Sequence, residues 1–342
     1  MIRLFANANY DFIKWRRVAF TVTGLIMLVG AIDLAVRGLN YSIEFTGGTL
    51  VQVELHRKVP TADIRAALDN VGLRGADIQN FGSDTSYVVR ARLGAEAAQG
   101  EAGTQAVADA VARALDQSAG SGQYQILRRE AVGPKVGREL QGKALAAILV
   151  SFVVTLIYLA VRFEWRFGLA AVVATAHDVV ATIAFISLMH LEVSLVVVGA
   201  VLTVVGYSLN DTIIIFDRVR ENLRKYRRQN LYEILNLSIN ETLPRSVLTH
   251  GTTLATTLAL LLLAGEVIRP FAWVMSFGIF TGTFSSIYIA APVLLWIEKR
   301  WPGEDARGAR TFGARTPATP AMPAPPATPP SSPSPRAPQP AR

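Results

Sequence analysis

The sequence predicts an α-helical polytopic membrane protein: six transmembrane helices, with one small α+β domain inserted between the first and the second. Three observations carry this. Six stretches of roughly 20 residues are almost free of charge, long enough to cross a hydrocarbon core of ~30 Å at ~1.5 Å per helical residue. Of the 342 residues, 51% are hydrophobic and only 18% charged, against about 25% charged in an ordinary soluble domain. The one long polar stretch between apolar segments alternates strand and helix signals.

The first apolar segment, Val18–Val36, lacks a small-residue cleavage site and keeps a full spanning length. It reads as a retained helix rather than a signal peptide. The next four are Ala144–Val161, Gly168–Met189, Val193–Phe216 and Arg245–Ala264. The sixth, Phe271–Ile297, is longer than a span needs, so it tilts or extends past the membrane face. Basic residues set the orientation. Lys14, Arg16 and Arg17 precede the first helix, Arg162 and Arg166 separate the second and third, and Lys299 and Arg300 follow the sixth. Between the fourth and fifth lie Arg218, Arg220, Arg224, Lys225, Arg227 and Arg228. The opposite short loops hold only Arg269. Both termini, 1–17 and 298–342, are therefore expected in the cytoplasm.

The segment 37–143 then lies on the periplasmic side. Tyr41–His56 reads as one strand interrupted at Gly47-Gly48, a bulge or kink. Thr61 is placed to cap a helix carrying Ile64, Leu68 and Val71 at helical spacing. Strand-like Ile78–Phe81 and Tyr87–Leu93 flank a turn at Gly82-Ser83-Asp84. Val107, Val111 and Leu115 mark a second helix, and Tyr124–Leu127 a last strand. The order βαββαβ fits a ferredoxin-like sandwich. At the other end, Thr316–Arg342 is almost only Pro, Ala, Thr and Ser, a composition expected to stay disordered with polyproline II character. A solvated tail is the plain reading, and a proline-rich ligand for another protein is the other.

Ionisable side chains inside membrane helices cost at least ~2.5–3.5 kcal/mol on insertion scales, so each needs a reason. Asp178 lies near the middle of the third helix beside His177, and Asp211 in the fourth beside Asn210. Asp211 is six residues before Asp217, hence ~9 Å inside the cytoplasmic boundary. His250 in the fifth helix comes to a similar depth, with the long side chain of Arg245 able to approach from below. Two readings of these groups stay open: buried pairs that fix helix packing, or a proton relay. Burial favours the neutral form of a carboxylate and a nearby cation its charged form, so a carboxylate moved between the two binds and releases a proton. His177 and His250 are relay members or polar packing residues. Asp33, near the outer end of the first helix, reads as an interfacial residue snorkelling to water. Gly278 and Gly282, at GxxxG spacing, signal close helix packing.

No enzyme is indicated. The chain has no cysteine, which excludes disulfides, thiolate metal sites and cysteine nucleophiles. Neither GxxxxGK[ST] nor HExxH occurs. VGPKVGREL at Val132–Leu140, with Gly133, Pro134 and Gly137, reads as a rigid domain-to-membrane junction rather than a strand-to-helix loop cradling phosphate. No cofactor or metal is expected. The net charge of +8 flanks the apolar segments rather than forming a nucleic-acid surface.

Seven motifs in order resemble the SecF family, partners of SecD and relatives of the resistance-nodulation-division transporters. They are EFTGGT at Glu44–Thr49 (the family's DFTGGT with Glu for Asp), VGPKVGREL, FEWR at Phe163–Arg166, HDVV at His177–Val180, GYSLNDTIIIFDRVRENLR at Gly206–Arg224, LPRSVLTHGTT at Leu243–Thr253 and GTFSSIYIAAP at Gly282–Pro292. The resemblance runs from Gly38 to Pro292. It implies a translocase subunit that pairs with SecD and, driven by the proton-motive force, draws unfolded secretory polypeptides out of the SecYEG channel with its accessory subunits. Protons would be the coupling ion, with the pathway carboxylate and arginine falling on Asp211 and Arg245. His250 stands where the family pattern leads one to expect a serine. Two other readings remain: a small-molecule or lipid exporter of the same superfamily, and a scaffold whose charged pairs only hold helices together.

Overall fold

The structure, a computed structural model, describes residue 5, residues 8–91 and residues 101–302; the tail from Thr316 lies outside them. Among the described residues six helices are long and apolar enough to cross a membrane. In chain order the elements are α1 (Arg16–Arg37), β1 (Asn40–Tyr41), α2 (Ile43–Thr46), β2 (Gly48–Leu55), α3 (Thr61–Asn70), β3 (Asp77–Phe81), β4 (Ser83–Ala91), α4 (Glu101–Ser118) and β5 (Tyr124–Val132). There follow α5 (Pro134–Arg162), α6 (Trp165–Leu188), β6 (Glu192–Val193), α7 (Leu195–Lys225), α8 (Leu231–Leu263), α9 (Arg269–Ser285) and α10 (Ala291–Arg300).

Several helix boundaries depart from the apolar segments, because apolarity marks what lipid covers and caps mark where a helix starts. Thus α5 begins at Pro134 rather than Ala144, and α7 runs past Phe216 to Lys225. The fifth spanning helix, α8, begins at Leu231 rather than Arg245. Asn230 accepts from the Glu233 N–H while Glu233 reaches back to the Asn230 N–H, a capping box. Pro244 is absorbed inside the helix. The last span is longer than a crossing needs, 32 residues from Arg269 to Arg300. A π-helical turn at Ser286–Ala290 separates α9 from α10, the kind of local unwinding that re-aims side chains.

The bundle is built around α6, α7, α9 and α10, which supply most of the buried apolar side chains, including Phe167, Val204, Phe216, Ile279 and Leu294. α1, α5 and α8 lie outside them. In its most apolar window α5 is only 6% buried, against 72% for the last span. Packing of α1 onto α6 is tight enough that a Cβ at Gly30 would collide with Ala184. Asp33 is consequently not a free snorkelling residue. Ser187 of α6 donates to it at 2.7 Å and Arg37 pairs with it at 3.4 Å.

Outside the spans, β3, β4, β2 and β5 form one antiparallel sheet in that order. α3 and α4 bury Ile64, Leu68, Val111 and Leu115 against Val51, Val53 and Val89 of its covered face. Local details differ from the sequence expectations. Tyr41–His56 is not one strand, because Ile43–Thr46 coil into a helical turn between β1 and β2. Gly47 and Gly48, at φ 72° and 129°, turn the chain from that helix into β2, and the sheet irregularity falls at Gln52/Val53 instead. Pro60, not Thr61, occupies the N-cap of α3. The turn between β3 and β4 narrows to Gly82, at φ 80°, with β4 beginning at Ser83; the expected strand end at Leu93 lies outside the described residues.

The VGPKVGREL motif is also corrected: it does join a strand to a helix. β5 runs to Val132 and α5 starts at Pro134, leaving Gly133 as the only link and N-cap. Gly137 takes no part in a phosphate loop. A Cβ there would lie 2.8 Å from the Phe45 carbonyl oxygen and 3.1 Å from the Gly47 nitrogen. The two glycine motifs therefore pack backbone to backbone.

Candidate functional site

The domain is held on the bundle by backbone pairing as well as side chains. β1 pairs in parallel with β6, Asn40 with Glu192 and Tyr41 with Val193. Glu44 of the EFTGGT motif accepts the Leu195 N–H at 2.6 Å, the first residue of α7, where the helix dipole favours negative charge. Arg90 of β4 pairs with Glu192 and, at 2.9 Å, with Asp77. Burial pushes the Glu192 carboxyl up, against the opposing effect of Arg90.

Inside the bundle the polar groups form a seam. Asp178 on α6 is wholly buried and is the meeting point of three helices. Ser208 of α7 and Ser285 of α9 both donate to its Oδ2, the latter at 2.6 Å, and His177 Nδ1 lies 3.1 Å from its Oδ1. Beside it Thr212 and Ser286 share a hydrogen bond at 2.9 Å, the serine sitting on the π-helical turn. His177 Nε2 is buried without a hydrogen-bond partner among the described residues.

Asp211, one turn on from Ser208, faces α8. Ser246 donates to its Oδ1 at 2.6 Å, while its Oδ2 is buried with no partner among the described residues. The antiparallel register of α7 and α8 sets a second rung: the Tyr207 ring meets His250 edge-on at 5.3 Å and its hydroxyl donates to the Thr249 carbonyl at 3.2 Å. His250 therefore lies a turn away from the level of Asp211 rather than beside it, about 6 Å along the axis, and its Nδ1 is likewise buried and unpartnered among the described residues. Arg245 does not approach from below. With Ser246 taking the inward position, the neighbouring Arg245 is turned to the exposed face and makes no ion pair with Asp211. Both Arg245 and His250 stay within electrostatic reach of that carboxylate.

Asn210 is exposed, on the same side of the bundle as Arg245. With Thr203 of α7 and Thr249, Thr252 and Thr256 of α8, they form a polar strip on two membrane helices. Thr203, Thr252 and Thr256 donate to carbonyls of their own helices, so it is Asn210 and Arg245 for which hydrocarbon offers no partner. Sequence reasoning did not single out Ser208, Ser246, Tyr207, Ser285 or Ser286 as site residues. No local spacing flags Ser208, Ser246 and Ser285, which lie 30, 35 and 107 positions along the chain from the carboxylates they donate to.

Residues 111–300 match the family model described as protein export membrane protein SecD/SecF, C-terminal, and residues 34–59, enclosing Gly47-Gly48, match the SecD/SecF GG motif. This chain belongs to the SecD/SecF family. The protein translocase subunit SecF of Gemmatimonas aurantiaca is 55% identical over 317 residues, 92% of this chain and 95% of that one. That of Escherichia coli O157:H7 is 39% identical over 286 residues, 84% and 87% of the two chains. The crystal structure of SecDF, a translocon-associated membrane protein from Thermus thermophilus, superposes with a TM-score of 0.76 at 35% identity. That match covers 87% of this chain but only 40% of the SecDF chain. SecDF in a super-membrane-facing form superposes at 0.62.

Proposed function

We propose that the chain is the SecF subunit of a SecDF-type complex in the bacterial inner membrane, which uses the proton-motive force to help draw secreted polypeptides from SecYEG on the periplasmic side. The observation that carries the reading is Asp211: a carboxylate in a membrane helix, satisfied at one oxygen by Ser246 and open at the other. A structural pair would close both oxygens. One left open in a low-dielectric seam is free to bind and release a proton as its surroundings change. Arg245 supplies the charge that biases it, and Asp178 with His177 forms a second proton-binding station. The only coupling species in this reading is the proton, with no cofactor.

SecD is the proposed partner at the polar strip of α7 and α8. A complementary bundle bringing polar groups to Asn210 and Arg245 removes the cost of facing them to lipid. Both termini are assigned to the cytoplasm and the sheet domain to the periplasm, on the arginine-rich loops after α5 and α7. Its element order and the strand order β3-β4-β2-β5, all antiparallel, support a ferredoxin-like assignment of that domain.

The test is co-purification with SecD and secretion of a reporter protein in cells lacking the native subunit, with the gradient present or collapsed. Gradient-dependent rescue that requires SecD is the expected result. Rescue without SecD, or rescue indifferent to the gradient, overturns the reading.

A further inference from the structure

Where α5 ends against α7, a cleft of about 650 Å³ opens, lined by Arg162, Asp217, Arg220, Glu221, Arg224 and Lys225. The lining carries four cations and two carboxylates, Asp217 pairing with Arg162 at 3.6 Å and Glu221 with Arg218 at 2.5 Å. Two of the cations converge on one buried ring. The guanidinium carbons of Arg162 and Arg220 lie 5.2 and 5.8 Å from the centroid of Phe163. Holding like charges beside one ring is unfavourable, and of the two it is Arg162 that pairs with Asp217. Arg220 Nε is moreover buried without a hydrogen-bond partner among the described residues.

The cleft also has an apolar continuation. From Arg162 back along α5, Val150, Val153, Val154, Ile157 and Val161 are 53–84% exposed, and among the described residues of this helix only Gly137 and Leu159 are buried. The basic residues sit at the end of the apolar segment, the level at which lipid headgroups lie. Basic pockets between spanning helices at that level suit phosphate headgroups, which an arginine fork engages with two parallel hydrogen bonds.

We propose that this cleft is a binding site for an anionic phospholipid, its phosphate between Arg162 and Arg220 and an acyl chain along the exposed face of α5. A soluble phosphate offers the same headgroup chemistry but leaves that apolar face uncovered. The site is separate from Asp211 and its test does not depend on the export reading.

The experiment is retention of phosphatidylglycerol by the purified full-length chain in neutral detergent, titrated by native mass spectrometry beside phosphatidylcholine and inorganic phosphate. Saturable phosphatidylglycerol binding is expected, weakened about tenfold or more in Arg162→Gln/Arg220→Gln and about threefold in Arg220→Lys, which keeps the charge but loses the fork. Arg227→Gln, a basic residue outside the cleft, should change affinity by less than about twofold. Equal loss in Arg227→Gln shows diffuse attraction and overturns the site. So does phosphatidylcholine binding as tightly, or complete displacement by millimolar phosphate. If the double variant does not purify, Arg220→Lys beside Arg227→Gln decides the matter, and identical affinities reject the proposal.

Discussion

Ser246 donates its hydroxyl to Asp211 Oδ1 at 2.6 Å, linking the fourth and fifth spanning helices. The arginine next to that serine points out of the bundle. A neutral donor thus holds the carboxylate in place, and the cation acts on it from outside.

Asp211→Asn is expected to insert and accumulate like the parent, because the amide is nearly isosteric, keeps an acceptor for Ser246 and is cheaper to bury. Gradient-dependent export of a reporter should fall to background. Since no arginine fork to Asp211 exists, Arg245→Lys should retain most of the activity and Arg245→Met should lose it. Full gradient-dependent export by Asp211→Asn would end the relay reading.

Asp178→Asn should behave differently. Its carboxylate accepts from Ser208 and Ser285 at one oxygen while His177 contacts the other, so an amide keeps all three contacts only if its NH2 faces His177 Nδ1 and that nitrogen accepts. A loss of about 1–3 kcal/mol is expected, read as a lower thermal midpoint in detergent and lower membrane abundance. Unchanged stability of this variant, with that of Asp211→Asn reduced, would reverse the roles assigned to the two carboxylates.

The glycines of α9 and α7 should also separate. A Cβ at Gly278 collides with Val204, whereas one at Gly199 meets nothing within 4 Å. Gly278→Ala should cost about 1–3 kcal/mol through overpacking, and Gly199→Ala should be neutral or slightly stabilising through helix propensity, by up to about 1 kcal/mol. Midpoints of thermal unfolding compare the two directly, and equal effects would contradict the packing described.

Docking of the sheet domain should depend on pH through Glu192. Burial raises its carboxyl above the ordinary value of 4.5, so the folded chain holds this proton more firmly than the unfolded one. The resulting stabilisation is fully present below 4.5 and is lost as pH rises through the raised value. Glu192→Gln, neutral throughout, should flatten that dependence. Hydrogen exchange at β1 and β6 between pH 4 and 7 provides the measurement, and an unchanged slope in the variant would dismiss Glu192 as its source.

Much was legible in the residues alone. Six almost uncharged segments of spanning length need no tertiary context, because a backbone in hydrocarbon must satisfy its own hydrogen bonds and a long apolar helix does so by itself. The order of strands and helices between the first two spans followed from periodicity, apart from the helical turn α2 that splits the first strand. Asp178 and Asp211 stood out because charge in that setting is costly. The motifs reached the family for the same reason: their residues are unusual where they occur.

Tertiary structure alone decided what those groups touch. Whether Arg245 or Ser246 faces Asp211 is a matter of about 100° of helix rotation, set by how α8 packs on α7 and invisible to a hydropathy profile. The same holds for Ser208 and Ser285, which converge on Asp178 from helices 77 positions apart in the chain. The start of α8 at Leu231 depends on a capping box, and the meeting of Gly137 with Phe45 depends on two distant backbones coming within contact. Spanning is a local property, settled by the free energy of each segment in lipid. Contact is a relation between segments, and only packing the helices together fixes which side chain fills which space.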